Sequence, residues 1–262
     1  MIRGLYAAAT GMNAQQLRID VTSNNIANVN TSGFKEDRAE FQDLMYQALN
    51  YAGGSTTQDT LNPTGVNVGL GTRLSGVQKN FSQGSLKQTG NPLDLAIEGK
   101  GFFQITMPDG TMAYTRNGSF KVDQDGTVVN ANGYKLEPEI VIPQNLTNVS
   151  VGLDGTVSAV DPTTGETQQL GQINLVDFVN PAGLRPKGDS LFKSSDSSGD
   201  AIEGNATQDA FGSIRQGMLE SSNVKLVNEM IDLITAQRAY EANSKAITTS
   251  DEMLSTVNAL KR

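Results

Sequence analysis

Large apolar residues return at every seventh position at both ends of this chain, and nothing else in the sequence limits its fold so tightly. Leu226, Leu233, Tyr240, Ile247 and Leu254 form one column, with Met230, Gln237, Ser244, Asp251 and Asn258 beside it, and no Gly or Pro falls between residues 218 and 262. A repeat of seven marks a helix that presents one narrow seam to a neighbour. The pattern predicts a helix from about Asn223 to about Leu260, roughly 55 Å long at 1.5 Å per residue, with Ser222 or Asn223 placed to cap its first free amides. At the other end Leu5, Met12, Ile19 and Ile26 repeat the theme, flanked by Ala8, Ala9, Gln15, Gln16, Thr22 and Ser23. This first helix should stop in the Asn-rich stretch before Gly33, because Asn and Gly tolerate the left-handed backbone that closes helices. Phe41, Leu44, Met45 and Ala48 also follow helical spacing and allow a second short helix.

Between the ends the pattern changes to short β-branched or aromatic runs broken by Gly-containing turns, the mark of an antiparallel sheet. Asp109-Gly110-Thr111, Asp125-Gly126-Thr127 and Asp154-Gly155-Thr156 repeat one turn, and Asn117-Gly118 and Asn132-Gly133 supply two more. Each suits a tight hairpin with both central residues at positive φ. Residues 52 to 90 and 186 to 210, rich in Gly, Ser and Asp or Asn, read as extended connections. The expected fold class is α+β, with long N- and C-terminal helices paired in a coiled-coil-like inner domain and a mainly antiparallel β outer domain. The expected segments are 1–45, an N-terminal helical segment; 46–90, an extended connection; 91–210, the β-rich domain; and 211–262, the C-terminal helix completing the inner domain.

A single column of large apolar side chains covers too little area to hold a long helix alone, and pairing the two ends still leaves an exposed seam. Further copies of the chain would bury it. The alternative is that both helices lie on the β domain. Charge agrees with assembly through the ends. The net charge is −8, yet residues 1 to 45 carry four basic and five acidic side chains and residues 221 to 262 carry five of each, so the acidic excess lies in the middle. Near-neutral ends can pack against copies of themselves while an acidic middle faces solvent. An acidic chain also disfavours nucleic acid and anionic lipid as partners.

Cys, His and Trp are all absent, which removes thiolate nucleophiles, imidazole bases and the commonest soft metal ligands. No catalytic, cofactor-binding or metal site is expected. Asp123 and Asp125 begin a pattern like a calcium loop but lack its downstream acidic ligand. Gly69 and Gly71, or Gly99, Lys100 and Gly101, do not fit the spacing of a phosphate cradle. Asp94 and Glu98 are the nearest carboxylate pair for a glycan hydrolase. Asn13, Gln15, Gln16 and Arg18 interrupt any signal-like apolar core. No stretch approaches the roughly 18 apolar residues a spanning helix needs.

The stretch NNIANVNTSGFK, Asn24 to Lys35, following a seam helix, closely resembles the signature of the bacterial flagellar basal-body rod and hook proteins. ITAQRAYEANSKAITTSDEML, Ile234 to Leu254, is similar to that family's C-terminal motif, and NPLDLAIEGKGFF, Asn91 to Phe103, and YTRNGSF, Tyr114 to Phe120, resemble its β-domain motifs. Length and motif set point to the distal-rod branch, and Tyr46 to Gly71 sits where that branch carries an extra segment associated with a straight, stiff rod. The resemblance implies a structural subunit that polymerises into a helical tube around an export channel and transmits torque from motor to hook. It also implies proximal rod proteins, the hook protein, the P-ring and L-ring proteins and the type III export apparatus as partners. The location it implies is a rod crossing the periplasm to the outer membrane, reached without a cleavable signal peptide. Other readings are a proximal rod or hook-type subunit, a secreted glycan hydrolase, or an adhesin. Leu5, Met12, Ile19, Ile26, Leu226, Leu233, Tyr240, Ile247 and Leu254 are the candidate subunit contacts. Asn25, Asn28, Asn30 and Gly33 are the candidate turn residues after the first helix.

Overall fold

The computed structural model describes residues 2–50, 55–57, 60–61, 64–162, 165–208 and 210–260. It divides into two compact units. One comprises residues 1–27, 37–78 and 225–262, and the other residues 28–36 and 79–224.

The helical unit is built on α1 (Ile2–Ala27) and α2 (Leu226–Leu260). The α1 helix ends where the Asn-rich stretch begins, as its sequence predicts. The α2 helix starts three residues later than expected. Asn223 is already engaged, accepting the Glu36 N–H through Oδ1 at 2.8 Å and donating through Nδ2 to the Asn80 carbonyl at 2.8 Å. Ser222 accepts from the Val224 N–H at 3.2 Å, ahead of the helix, so neither residue caps it. The two helices run antiparallel: Gly11 faces Asn243, Arg18 meets Asp232 and Asn25 meets Glu229.

Phe41, Leu44, Met45 and Ala48 do not form the short helix that their spacing allows. Residues Asp37–Asp43 are a strand paired with Thr72–Lys79, and Tyr46–Asn50 pairs antiparallel with Val66–Gly69. Ala39 and Phe41 are half-buried while Arg38, Glu40 and Gln42 are exposed. That alternation serves a strand with a partner, and it overrides the helical spacing. Within the predicted extra segment, residues 51–54, 58–59 and 62–63 lie outside the described residues.

In the β unit the strand Phe102–Thr106 is the hub. It pairs with Met112–Thr115 on one side, and with Lys135–Glu137 and Asn174–Asp177 on the other, all antiparallel, within a nine-stranded sheet. Successive side chains of a strand face opposite ways, and here both faces are covered. Phe103 and Ile105 enter a core with Ile97, Leu136, Ile173 and Ile214. Phe102 enters a second cluster with Tyr114, Val176, Phe178 and Phe192, whose rings meet edge to face at 4.8 to 6.2 Å. This explains why Phe102 and Phe103, adjacent in sequence, are both buried. Residues 186 to 210, expected as a connection, contribute the strands Leu191–Lys193 and Ile202–Asn205 and most of Arg185–Gly188 to the same sheet.

The hairpin turns obey one rule, which differs from the expected one. At Gly110, Gly126, Gly133 and Gly155 only the glycine has positive φ, between 75° and 83°. In each, the glycine N–H donates to the residue three before it, as in Gly110 to Met107 and Gly155 to Gly152. This is a type I turn closed by a left-handed glycine, so the preceding Asp or Asn keeps ordinary φ. Asn117-Gly118 is no hairpin. Gly118 lies flush against Leu95, whose N–H donates to its carbonyl at 3.0 Å. Glycine serves close backbone approach there.

Candidate functional site: the terminal helices and their exits

The face that α1 turns to α2 is made of small and polar residues. Ala8, Ala14, Thr22 and Asn25 are buried on α1, and Glu229 and Ala236 on α2. A Cβ placed on Gly11 would come within 2.9 Å of Asn243 Nδ2, so the helices approach closely at that level. Arg18 donates to Asp232 at 2.6 Å at the margin of the pair.

The large apolar columns lie beside this seam. Leu5, Met12, Ile19, Ile26, Leu233, Ile247 and Leu254 are half-buried, while Leu226 and Tyr240 are exposed at 43% and 38%. A further stripe is more open: Val227, Met230, Ile231 and Ile234 are exposed by 47% to 68%. At 100° per residue this stripe lies opposite the column of Glu229 and Ala236 that faces α1. Its spacing of i, i+3, i+4 and i+7 was legible in the sequence, but it was masked by the more regular column at 226, 233 and 240.

The exit from α1 is fixed by amides. Asn25 sits within the helix, not in the turn after it. Its Oδ1 accepts the Asp37 N–H at 2.9 Å and its Nδ2 donates to the Asp37 carbonyl at 2.8 Å and to Glu229 Oε2 at 3.3 Å. One side chain thus bonds to the strand's first residue as a neighbouring strand would. Asn28 holds the turn itself, its carbonyl accepting the Thr31 N–H and its Oδ1 the Thr31 hydroxyl. Asn30 is exposed. Gly33 is buried at φ 70°, with the Arg116–Asn117 backbone where a side chain would stand, and donates its N–H to the Glu220 carbonyl at 2.8 Å.

Sequence reading missed a buried charge cluster in the β unit. Lys35 and Glu220 are fully buried and Arg116 nearly so. Glu220 Oε1 accepts from Lys35 Nζ at 2.7 Å and from the Gly84 N–H at 2.8 Å, and Oε2 accepts from Arg116 Nη1 at 3.4 Å. Lys35 Nζ also donates to the Ser82 carbonyl, and Arg116 Nη2 to that of Gly99, each at 2.8 Å. The guanidinium lies 5.3 Å from the centre of the Phe102 ring. Burial pushes both cations below their ordinary pKa values, against the pull of Glu220. Lys35 and Arg116 belong to two of the motifs singled out in the sequence, but nothing in either motif announces Glu220.

The other candidate chemistry is absorbed by structure. Asp94 accepts from the Asn91 amide, and Glu98 pairs with Arg215 at 2.7 Å. Asp123 accepts the Gln124 N–H inside a hairpin turn. Gly99 and Gly101 take positive φ in the connection before Phe102. Among the described residues no group of three or more acidic, His or Cys side chains could hold a metal, and no helix is long and apolar enough to cross a membrane.

Three family models match successive parts of the chain: a flagella basal body rod protein model over residues 5–35, the flagellar hook protein FlgE/F/G D1 domain over residues 96–159, and the flagellar basal body rod FlgEFG protein C-terminal model over residues 215–260. The chain is 48% identical to the flagellar basal-body rod protein FlgG of Borreliella burgdorferi, covering 100% of both chains. It is 45% identical to that of Caulobacter vibrioides over 99% of this chain and 100% of the other, and 43% identical to that of Bacillus subtilis over 100% of both.

Proposed function

Because this chain belongs to the flagellar basal-body rod protein FlgG family, we propose that it is the structural subunit of the distal rod, polymerising into a helical tube that encloses the export channel and transmits torque from motor to hook. The family is structural and the chain is not an enzyme. That removes the glycan hydrolase reading of Asp94 and Glu98.

The observation that carries the polymer reading is the division of labour on the helices. They meet through small and polar residues and leave their large apolar side chains only half-covered, with Val227, Met230, Ile231 and Ile234 the most open stripe. Apolar area left in water on a long helix is a surface awaiting a partner. The partner is a second copy, whose helices extend the pair into a coiled-coil-like inner layer, with Leu5, Met12, Ile19, Ile26, Leu226, Leu233, Tyr240, Ile247 and Leu254 as contacts. The helical unit, residues 1–27, 37–78 and 225–262, forms that layer, in place of the expected segments 1–45 and 211–262, and the β unit, residues 28–36 and 79–224, is the remainder of the subunit. Proximal rod proteins, the hook protein, the P-ring and L-ring proteins and the type III export apparatus are the partners proposed for the tube, in a rod that crosses the periplasm. Tyr46 to Gly71 stiffens it.

Tyr240→Asp tests the reading by placing a charge where a neighbouring helix would pack. Near-UV circular dichroism should show the β unit intact while sedimentation shows no polymer. Normal polymer growth from the folded variant would refute it.

A further inference from the structure

Three stretches of the β unit adjoin the points where the chain passes to the helical unit: residues 28–36, the start of 79–88, and the end of 218–224. Inside the β unit all three are tied to two neighbouring residues. Glu220 takes Lys35 and the Gly33 N–H from the first stretch and the Gly84 N–H from the second. Asn223 takes the Glu36 N–H from the first and donates to the Asn80 and Ser82 carbonyls of the second. The Ser221 N–H donates to the Ser85 carbonyl at 2.9 Å, and no side chain would fit on Gly84, which lies against the Ser221 carbonyl.

The charge balance makes the ties interdependent. Two buried cations share one buried carboxylate, and the Arg116 Nε has no partner among the described residues. Without Glu220, Lys35 would be left a buried cation with no carboxylate in contact, and Arg116 would keep only the more distant attraction of Asp177, a state more costly than the intact cluster. Arg116, which keeps its proton, then regains stability by reaching water, and Lys35 by reaching water or losing its proton; either change loosens the stretch that holds the cation.

We propose that the Lys35–Glu220–Arg116 cluster is a completion lock that makes residues 28–36, 79–88 and 218–224 a single opening unit, closed only when the C-terminal strand has arrived. Lys35 and Glu220 are 185 residues apart in the chain. A chain emerging N-terminus first therefore carries Lys35 and Arg116 without their shared carboxylate, Glu220, until nearly all of the β unit is present. Residues 28–36 stay open until then, and a partly delivered chain does not close this part of the β unit. This inference does not depend on what the subunit assembles with.

Native-state hydrogen exchange on the full chain tests it. In the unmodified protein the amides of Gly33, Gly84 and Ser221 should share one opening free energy and one dependence on low denaturant, as residues of one cooperative unit do. Three different values would overturn the lock. In Glu220→Gln all three amides should exchange at least tenfold faster while Phe103 and Ile105 stay protected. Unchanged exchange, or acceleration at one of the three alone, would overturn it as well. Should Glu220→Gln fail to fold, the exchange of the unmodified chain decides by itself.

Discussion

Gly11 of α1 and Asn243 of α2 face each other so closely that even a methyl group on Gly11 fits only if the Asn243 amide shifts. Gly11→Ala gains about 1 kcal/mol in helix propensity and gives back about as much in the Asn243 side-chain shift. Its unfolding free energy should stay within about 1 kcal/mol of the parent. Gly11→Leu, too large for the gap, should lose about 1–3 kcal/mol. Urea unfolding followed by helical circular dichroism measures both, and equal stability of the Leu variant would mean that the helices do not pack at this level.

Phe103 is fully buried and meets the Phe120 ring edge to face at 5.2 Å. Phe103→Ala empties the centre of the β core, with an expected loss of about 3–5 kcal/mol. Chemical denaturation monitored in the near-ultraviolet reads this directly.

Asp109 and Asp154 close two of the hairpin turns. Hydrogen bonds from the Thr111 and Thr156 side chains, followed by those from the backbone amides of the same residues, hold the two carboxyls below the usual carboxylate range. Their folded-state values are depressed, so their stabilisation is complete above the unfolded range near about pH 4. It is lost as pH falls through the lower folded values. Below about pH 4 the parent should therefore lose stability more steeply than the Asp109→Asn, Asp154→Asn double variant. Urea midpoints across acid pH decide it, and parallel curves would remove the turns from the acid response.

The Arg18–Asp232 pair looks strong at 2.6 Å, yet both side chains are more than two-fifths exposed. Arg18→Ala should cost no more than about 1 kcal/mol. The difference from the parent should shrink in 1 M salt, where the screening length falls to about 3 Å. A loss that is large and independent of salt would mean that Arg18 acts through packing of its stem.

The two helices were legible because a seven-residue repeat needs no partner to be recognised, and four of the five Asx-Gly turns were legible because their chemistry is local. Asn117-Gly118 misled for a physical reason. A glycine chosen for close approach to Leu95 has the same letter as one chosen for positive φ. The Asp37–Asn50 stretch misled in another way, since its strand partners lie at residues 66–79 and a distant partner leaves no local trace. The charge cluster was invisible on the same ground. Lys35 reads as an ordinary surface lysine until Glu220 is brought to it across most of the chain.

The β unit enters the chain as two parentheses, residues 28–36 and 79–224, each opened and closed between segments of the helical unit. Its openings are stitched to one another by Glu220 and Asn223, on its own side of the boundary. A parenthesis whose brackets are fastened together can be lengthened, shortened or exchanged without rewriting the sentence around it. Turns outside the stitched stretches, such as those at Gly110 and Gly133, are therefore where this scaffold can take on longer loops.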